Sequence, residues 1–201
     1  LPCASTHVLI YDPSSNKVSG SEQIPSSIDG GNAQWGGGVT VNGIVYGIPR
    51  NSNYVLIYDP SSNKVSGSEK IPSSIDGGNS QWHGGVTVNG IVCGIPFDSN
   101  YVLIYDPSSN KVSGSEQIPS SIDGGNQQWY GGVTVNGIVY GIPFNSNNAH
   151  NHGPWNNNVS GSAQIPSTID GGGHPWRGGV TVNGIVYRIS LHSTRARLSH
   201  P

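Results

Sequence analysis

One unit, repeated four times in an unbroken register, governs what this chain can fold into. Trp35, Trp82, Trp129 and Trp176 stand 47 residues apart at every step. A full copy runs from Val8 to Tyr54 as VLIYDPSSNKVSGSEQIPSSIDGGNAQWGGGVTVNGIVYGIPRNSNY, and the second and third copies depart from it at few positions. The fourth is altered in its first half, where NAHNHGPWNNNVSG replaces the opening strand, yet Pro154, Asn157 and Val159 hold the register. A period of this length marks an array in which each unit buries its apolar faces against its neighbours.

Turn chemistry divides each copy into four β segments: GGVTV, IVYGIP, VLIYD and KVSGSEQIP. Asn42-Gly43 joins the first two, and both of its positions suit the positive φ of a type I′ hairpin turn. The next hairpin turns at Asp12-Pro13-Ser14-Ser15-Asn16, with Pro at the φ-restricted second place and Asn able to take the left-handed conformation. Each unit reads as a four-stranded antiparallel meander. Segments such as Val55-Leu56-Ile57-Tyr58 are apolar on both faces, which requires a sheet covered on both sides.

The expected fold is therefore all-β, a single domain over residues 1–201. It is a four-bladed β-propeller of four-stranded antiparallel blades. The chain enters on the third strand of a blade at Val8 and leaves after the first two strands of another, Val180 to Ile189. Pairing these two halves would close one blade from both termini. The Gly pair at the head of each first strand suits the crowded neighbourhood of a propeller axis.

The Gly-Gly opening, the aromatic-bearing second strand and the V-L-I-Y-D-P third strand resemble kelch-type propeller repeats. A ring of four resembles the hemopexin-type architecture. Both resemblances imply a fold; a function has to be argued from a site.

Comparing the copies separates two faces. The hairpin turns, NG in all copies and DPSSN in three, are nearly constant. Substitutions gather in the inter-blade segment SSIDGGNxQW and in the loop after the second strand: Gly36, His83, Tyr130 and Arg177; Ala33, Ser80, Gln127 and His174; Arg50, Phe97, Phe144 and Leu191. This variable face is rich in Trp, Asn, Asp, Gln, Gly and Ser. Sugars offer hydroxyls to amides and carboxylates and a C–H face to an aromatic ring, so the composition suits glycans.

The leading expectation is a lectin-like, multivalent propeller that binds glycans or glycoproteins. Trp35, Trp82, Trp129 and Trp176 are its candidate platforms. Asn32, Asn79 and Asn126 with Gln34, Gln81 and Gln128 are the candidate hydrogen-bonding groups, Asp29, Asp76 and Asp123 the candidate acceptors, and His83 and Tyr130 exposed modulators of individual sites. A structural role competes with each: the Trp rings can pack on the next blade, and the Asp can brace its own Gly turn. The fourth site is the weakest, because Gly173 and Pro175 replace Asn and Gln. The alternative is a non-catalytic protein-interaction or storage propeller.

Other classes find less support. Charged residues make up 10% of the chain, against about a quarter ordinarily. A net charge of -2 offers no basic footprint for nucleic acid. No apolar run of about 18 residues suggests membrane insertion. No Ser-His-Asp set, phosphate loop or dinucleotide fingerprint suggests an enzyme. His150 and His152 do not have a specific metal-ligand spacing. No cofactor or metal is expected, apart from a structural ion that aligned carbonyls could hold in a central channel. Lys17, Glu22 and their copies read as solvated strand edges. Cys93 stands where other copies have Tyr46, Tyr140 and Tyr187 and reads as a core residue, while Cys3 is free to pair or not. The absence of Met and the sequon Asn158-Val159-Ser160 set the expectation of a processed, secreted protein, monomeric or a small homo-oligomer.

Overall fold

The computed structural model describes residues 5–28, 31–75, 78–122, 125–145, 148–153, 158–166 and 176–190. These residues contain strands and turns and no helix. The first two strands, β1 (Leu9–Asp12) and β2 (Lys17–Gly20), form a hairpin of their own. Three four-stranded antiparallel meanders follow. The first is β3 (Trp35–Val41), β4 (Ile44–Pro49), β5 (Leu56–Asp59) and β6 (Lys64–Gly67). The second is β7 (Trp82–Val88), β8 (Ile91–Pro96), β9 (Leu103–Asp106) and β10 (Lys111–Gly114). The third is β11 (Trp129–Val135), β12 (Ile138–Pro143), β13 (Asn148–Gly153) and β14 (Asn158–Gln164), so the altered fourth copy still supplies two strands. A last hairpin comprises β15 (Trp176–Val182) and β16 (Ile185–Ser190).

The turns follow their residues. Val41 pairs with Ile44 across a two-residue loop in which Asn42 and Gly43 have φ of 49° and 80°, the signature of the type I′ turn. In the longer turn the Asp12 carboxylate accepts the Ser14 N–H at 2.9 Å and the Ser14 and Ser15 hydroxyls at 2.7 Å each. Asp59 and Asp106 repeat this pattern.

Two boundaries differ from the sequence reading. The first strand of each unit begins at the Trp, not at the Gly pair, and a bulge between Trp35 and Gly38 absorbs the extra residues. The fourth strand stops at Gly20, Gly67 and Gly114, and the following Ser-Glu-Gln/Lys-Ile-Pro crosses to the next sheet. Its glutamate is exposed, as a solvated edge would be, and is engaged as well. Glu22 Oε1 accepts the Val65 N–H at 2.8 Å and Glu69 Oε1 accepts that of Val112 at 2.7 Å, each on the outermost strand of the following meander. The carboxylate thereby covers an edge that would otherwise present a bare donor.

The core lies between sheets. Trp35, Leu56, Tyr58 and Val65 pack with Val8, Ile24 and Ile28, which joins the β1–β2 hairpin to the first meander. Ile48, Val55, Ile71, Ile75, Trp82, Leu103 and Tyr105 join the first meander to the second. Cys93, Ile95, Val102, Ile118, Trp129 and Val139 join the second to the third. The innermost strands β3, β7, β11 and β15 lie side by side in chain order. A Cβ at Gly37 would come within 3.1 Å of Gly84 Cα, and one at Gly84 within 2.9 Å of Gly131 Cα, so glycine is what permits this approach.

The composite blade expected from the two ends is present as two separate hairpins. No ladder joins β16 to β1 among the described residues.

Candidate functional site

The three central Trp residues are interior. Trp35, Trp82 and Trp129 are at most 2% exposed. The Trp35 indole Nε1 donates to the Tyr54 carbonyl at 3.1 Å, and the Trp82 Nε1 to the Tyr101 carbonyl at 2.8 Å. Each ring opens an inner strand, and the bonds of Trp35 and Trp82 tie that strand to the loop that leads into the third strand. With their faces covered by neighbouring sheets these rings offer no platform, so of the two roles open to them packing is the one observed. Trp176 is half-buried, and the Arg188 guanidinium lies 5.7 Å from its ring centre.

The glutamines are interior too, and they organise the loops. The Gln34 carbonyl accepts the backbone N–H groups of Arg50, Asn51 and Ser52 at 2.7, 3.2 and 3.2 Å. Its side-chain Nε2 donates to the Asn32 carbonyl at 3.2 Å, as Gln81 Nε2 does to Asn79. Gln128 is also buried, and its Oε1 has no hydrogen-bond partner among the described residues. Asn32, Asn79 and Asn126 are exposed and keep their side chains on the surface. Asp29, Asp76 and Asp123 lie outside the described residues.

His83 and Tyr130 are not exposed loop residues. Both lie within inner strands, half-buried, with ring centres 3.7 Å apart in a stacked arrangement. Phe97 lies 5.8 Å from His83 and 6.0 Å from Tyr130, and Phe144 lies 5.5 Å from Tyr130. Four of the residues that vary between copies, His83, Phe97, Tyr130 and Phe144, thus form one aromatic row from one sheet to the next. Gly36 fits the same row, because a Cβ there would meet His83 Cδ2 at 3.3 Å and Arg50 Cβ at 3.5 Å.

A position that the sequence reading did not single out joins neighbouring copies. Asn51 Oδ1 accepts the Ser80 N–H at 2.7 Å, and Asp98 Oδ1 accepts the Gln127 N–H at 2.6 Å. The receiving residues are left-handed, with φ of 56° at Ser80 and 58° at Gln127. Asn51 Nδ2 also donates to the Asn32 carbonyl at 3.3 Å. The signal for this role is its place in PxxSN, where only Asn or Asp occurs in the three intact loops.

Two cavities bear on chemistry. One of about 160 Å³ lies on the inter-blade face, lined by Ser26, Ser27, Gln34, Asn51, Asn53 and Tyr54, with buried Ile28. The same places in the next copy hold Ser73, Ser74, Gln81, Asp98, Asn100 and Tyr101. In the third copy Asn148 replaces the Tyr. The second cavity, of about 440 Å³, lies on the hairpin face between two meanders, beside Asn42, Tyr46, Asn89, Asp106 and Ser108. Asp106 is already engaged there. Its carboxyl is held below the usual range by the Ser109 and Ser108 hydroxyls and the Ser108 N–H.

Among the described residues no three His, Cys, Asp or Glu side chains come together to hold a metal ion. Cys93 is a free thiol, buried in the core, and loss of hydration pushes its pKa up to about 12. It is therefore protonated and unreactive in the folded chain. The chain matches no known family and no curated protein.

Proposed function

We propose that this is a non-catalytic, carbohydrate-binding protein whose related shallow sites lie on the inter-blade face. The observation that carries the reading is the cleft at Ser26, Ser27, Gln34, Asn51, Asn53 and Tyr54. Its polar groups are neutral amides and hydroxyls, which exchange hydrogen bonds with sugar hydroxyls without the cost of desolvating a charge. Tyr54 supplies the aromatic surface once assigned to Trp, and Tyr101 supplies it in the next copy. The next copy repeats the set except that Asp98, a carboxylate, stands in place of Asn51.

Single-site affinity on such a shallow surface is on the order of millimolar, about −4 kcal/mol. Two sites on one rigid array raise it through effective concentration at a glycan-coated surface. A ring of four blades closed by the two terminal halves remains the finer architecture suggested by the repeat count. The sequon at Asn158 supports an extracellular setting, where such surfaces are found.

Binding to an array of immobilised neutral glycans tests the reading. Retention is expected for the parent chain and for Tyr54→Phe with Tyr101→Phe, and loss for Tyr54→Ala with Tyr101→Ala. A parent chain that retains no glycan overturns it.

A further inference from the structure

The cavity of about 440 Å³ on the hairpin face lies apart from the inter-blade clefts. It opens where the Asn42 turn of the first meander meets the Asn89 and Asp106 turns of the second. Val41, Ile44, Ile91 and Pro107 give it apolar walls. Asn42, Asn89 and Ser108 set exposed amides and a hydroxyl around these walls, with the Asp106 carboxylate beside them. The volume falls within the ~300–1,000 Å³ of small-molecule pockets, which are likewise apolar with a few placed polar groups.

One lining residue is unsatisfied. Tyr46 is 5% exposed, and its hydroxyl makes no hydrogen bond to any described residue. The neighbouring tyrosines are paired: Tyr58 donates to Asn63 Oδ1 at 3.2 Å and Tyr105 to Asn110 Oδ1 at 3.1 Å. The Tyr105 ring centre lies only 5.5 Å from that of Tyr46, so the contrast falls within one aromatic pair. Nor is the Tyr46 hydroxyl sealed inside the protein. Among the described residues the side-chain atoms both buried and unpartnered are Arg50 Nε and Gln128 Oε1. The hydroxyl therefore opens on the cavity that its side chain lines. Loss of hydration raises its pKa, which keeps it a donor. Polar groups this deep are ordinarily paired, so a donor held without a protein partner at the wall of a pocket marks the place of a ligand acceptor.

We propose that this cavity binds one small neutral molecule, largely apolar, whose hydrogen-bond acceptor takes the Tyr46 O–H. Among the described residues no Lys, Arg or His lines the cavity, and the Asp106 carboxylate repels an anion. The same carboxylate offers a cation little. Its Oδ1 already accepts the Ser108 N–H and hydroxyl, and its Oδ2 the Ser109 hydroxyl. An uncharged ligand lays its apolar body against Ile44 and Ile91 and leaves these bonds intact. The next seam does not repeat the site, since Cys93, Gly153 and Trp155 hold the places of Tyr46, Asp106 and Ser108. Binding here is independent of the glycan reading, which rests on other residues.

Amide NMR of the isotope-labelled chain tests the proposal, with acetophenone and cyclohexanone as probes. Each has an apolar ring, one carbonyl acceptor and no charge. Saturable shifts of the Asn89, Gly90 and Ser108 amides are expected with at least one of them. Benzoate and benzylamine, rings that carry a negative and a positive charge, should bind more weakly. Tyr46→Phe keeps the ring and removes the donor, and should weaken ketone binding about fivefold, the contribution of one neutral hydrogen bond. Because the hydroxyl has no partner in the protein, this variant should melt no lower than the parent. The proposal is overturned if neither ketone gives saturable shifts at these amides, if Tyr46→Phe binds as tightly as the parent, or if a charged probe binds more tightly. A lower melting temperature for Tyr46→Phe also overturns it, by showing that the hydroxyl is already paired.

Discussion

Glu69 reaches out of its own meander to accept the backbone N–H of Val112 at 2.7 Å, 43 residues further along the chain. Glu22 makes the same bond to Val65 at 2.8 Å. A repeat whose sheets touch mainly through apolar side chains gains from this a directional lock on the spacing of one sheet against the next. Hydrogen bonds to a charged acceptor exceed neutral ones by roughly a factor of two.

Replacing Glu69 by Ala strands the Val112 donor on a part-buried edge. The expected loss is about 1–3 kcal/mol of unfolding free energy, the cost of an unmade hydrogen bond to an ionised partner. Glu69→Gln keeps an acceptor and loses less than half as much. Urea denaturation monitored by Trp emission checks the order; equal stability of the parent and Glu69→Ala would show that the contact contributes nothing.

Trp82 supplies a second test, since burial and its bond to the Tyr101 carbonyl assign the ring to the fold. Trp82→Ala should cost about 3–5 kcal/mol, the range for emptying a large aromatic site. Trp82→Phe keeps most of the packing but loses the indole donor, at a cost of about 1–3 kcal/mol. A Trp82→Phe chain as stable as the parent that had lost glycan binding would reverse the assignment and restore the ring as a platform.

The sequence made some of these relationships legible and hid others for physical reasons. Asn42-Gly43 and Asp12-Pro13-Ser14-Ser15-Asn16 are local: their backbone angles and bonds are set within a few residues, and both turns formed as their chemistry requires. The 47-residue spacing of Trp35, Trp82 and Trp129 established the repeated meander in the same way. What the rings face was not legible, because a Trp before a Gly pair reads alike whether a sugar or a neighbouring sheet covers it. The bonds made by Glu22 and Asn51 are hidden in the sequence for a related reason. Their partners, Val65 and Ser80, lie 43 and 29 residues away and become neighbours only when the sheets stack.

Asn51 and Asp98 occupy equivalent places and make the same bond to the next copy, at 2.7 and 2.6 Å. The chain therefore already contains the experiment of exchanging one for the other. Asn51→Asp keeps the acceptor for Ser80 N–H and gives up only the long 3.3 Å bond from Nδ2 to the Asn32 carbonyl, so it should cost about 0.5 kcal/mol. Asn51→Ala removes the acceptor for Ser80 N–H and should cost about 1 kcal/mol. Thermal unfolding of the two variants beside the parent distinguishes them, and identical melting temperatures for both would mean that the bond does not brace the seam.

The Asp turns predict how the chain responds to acid. Hydrogen bonds from the Ser15 and Ser14 hydroxyls and the Ser14 N–H hold the Asp12 carboxyl down at about 2. The Ser62 and Ser61 donors depress Asp59, and the Ser109 and Ser108 donors depress Asp106, in the same manner. In the unfolded chain an Asp titrates near ~3.9. All three carboxyls are lowered in the folded chain, so the unfolded state binds more protons as the carboxyls begin to titrate and stability rises with pH. The contribution of the turns is fully present above about pH 4 and is lost as the pH falls below it, at Asp12 toward about 2. Urea midpoints measured down this range should decline for the parent. A chain carrying Asp12→Asn, Asp59→Asn and Asp106→Asn should start lower at neutral pH and decline less. Parallel declines in the two chains would place the acid sensitivity elsewhere than in these turns.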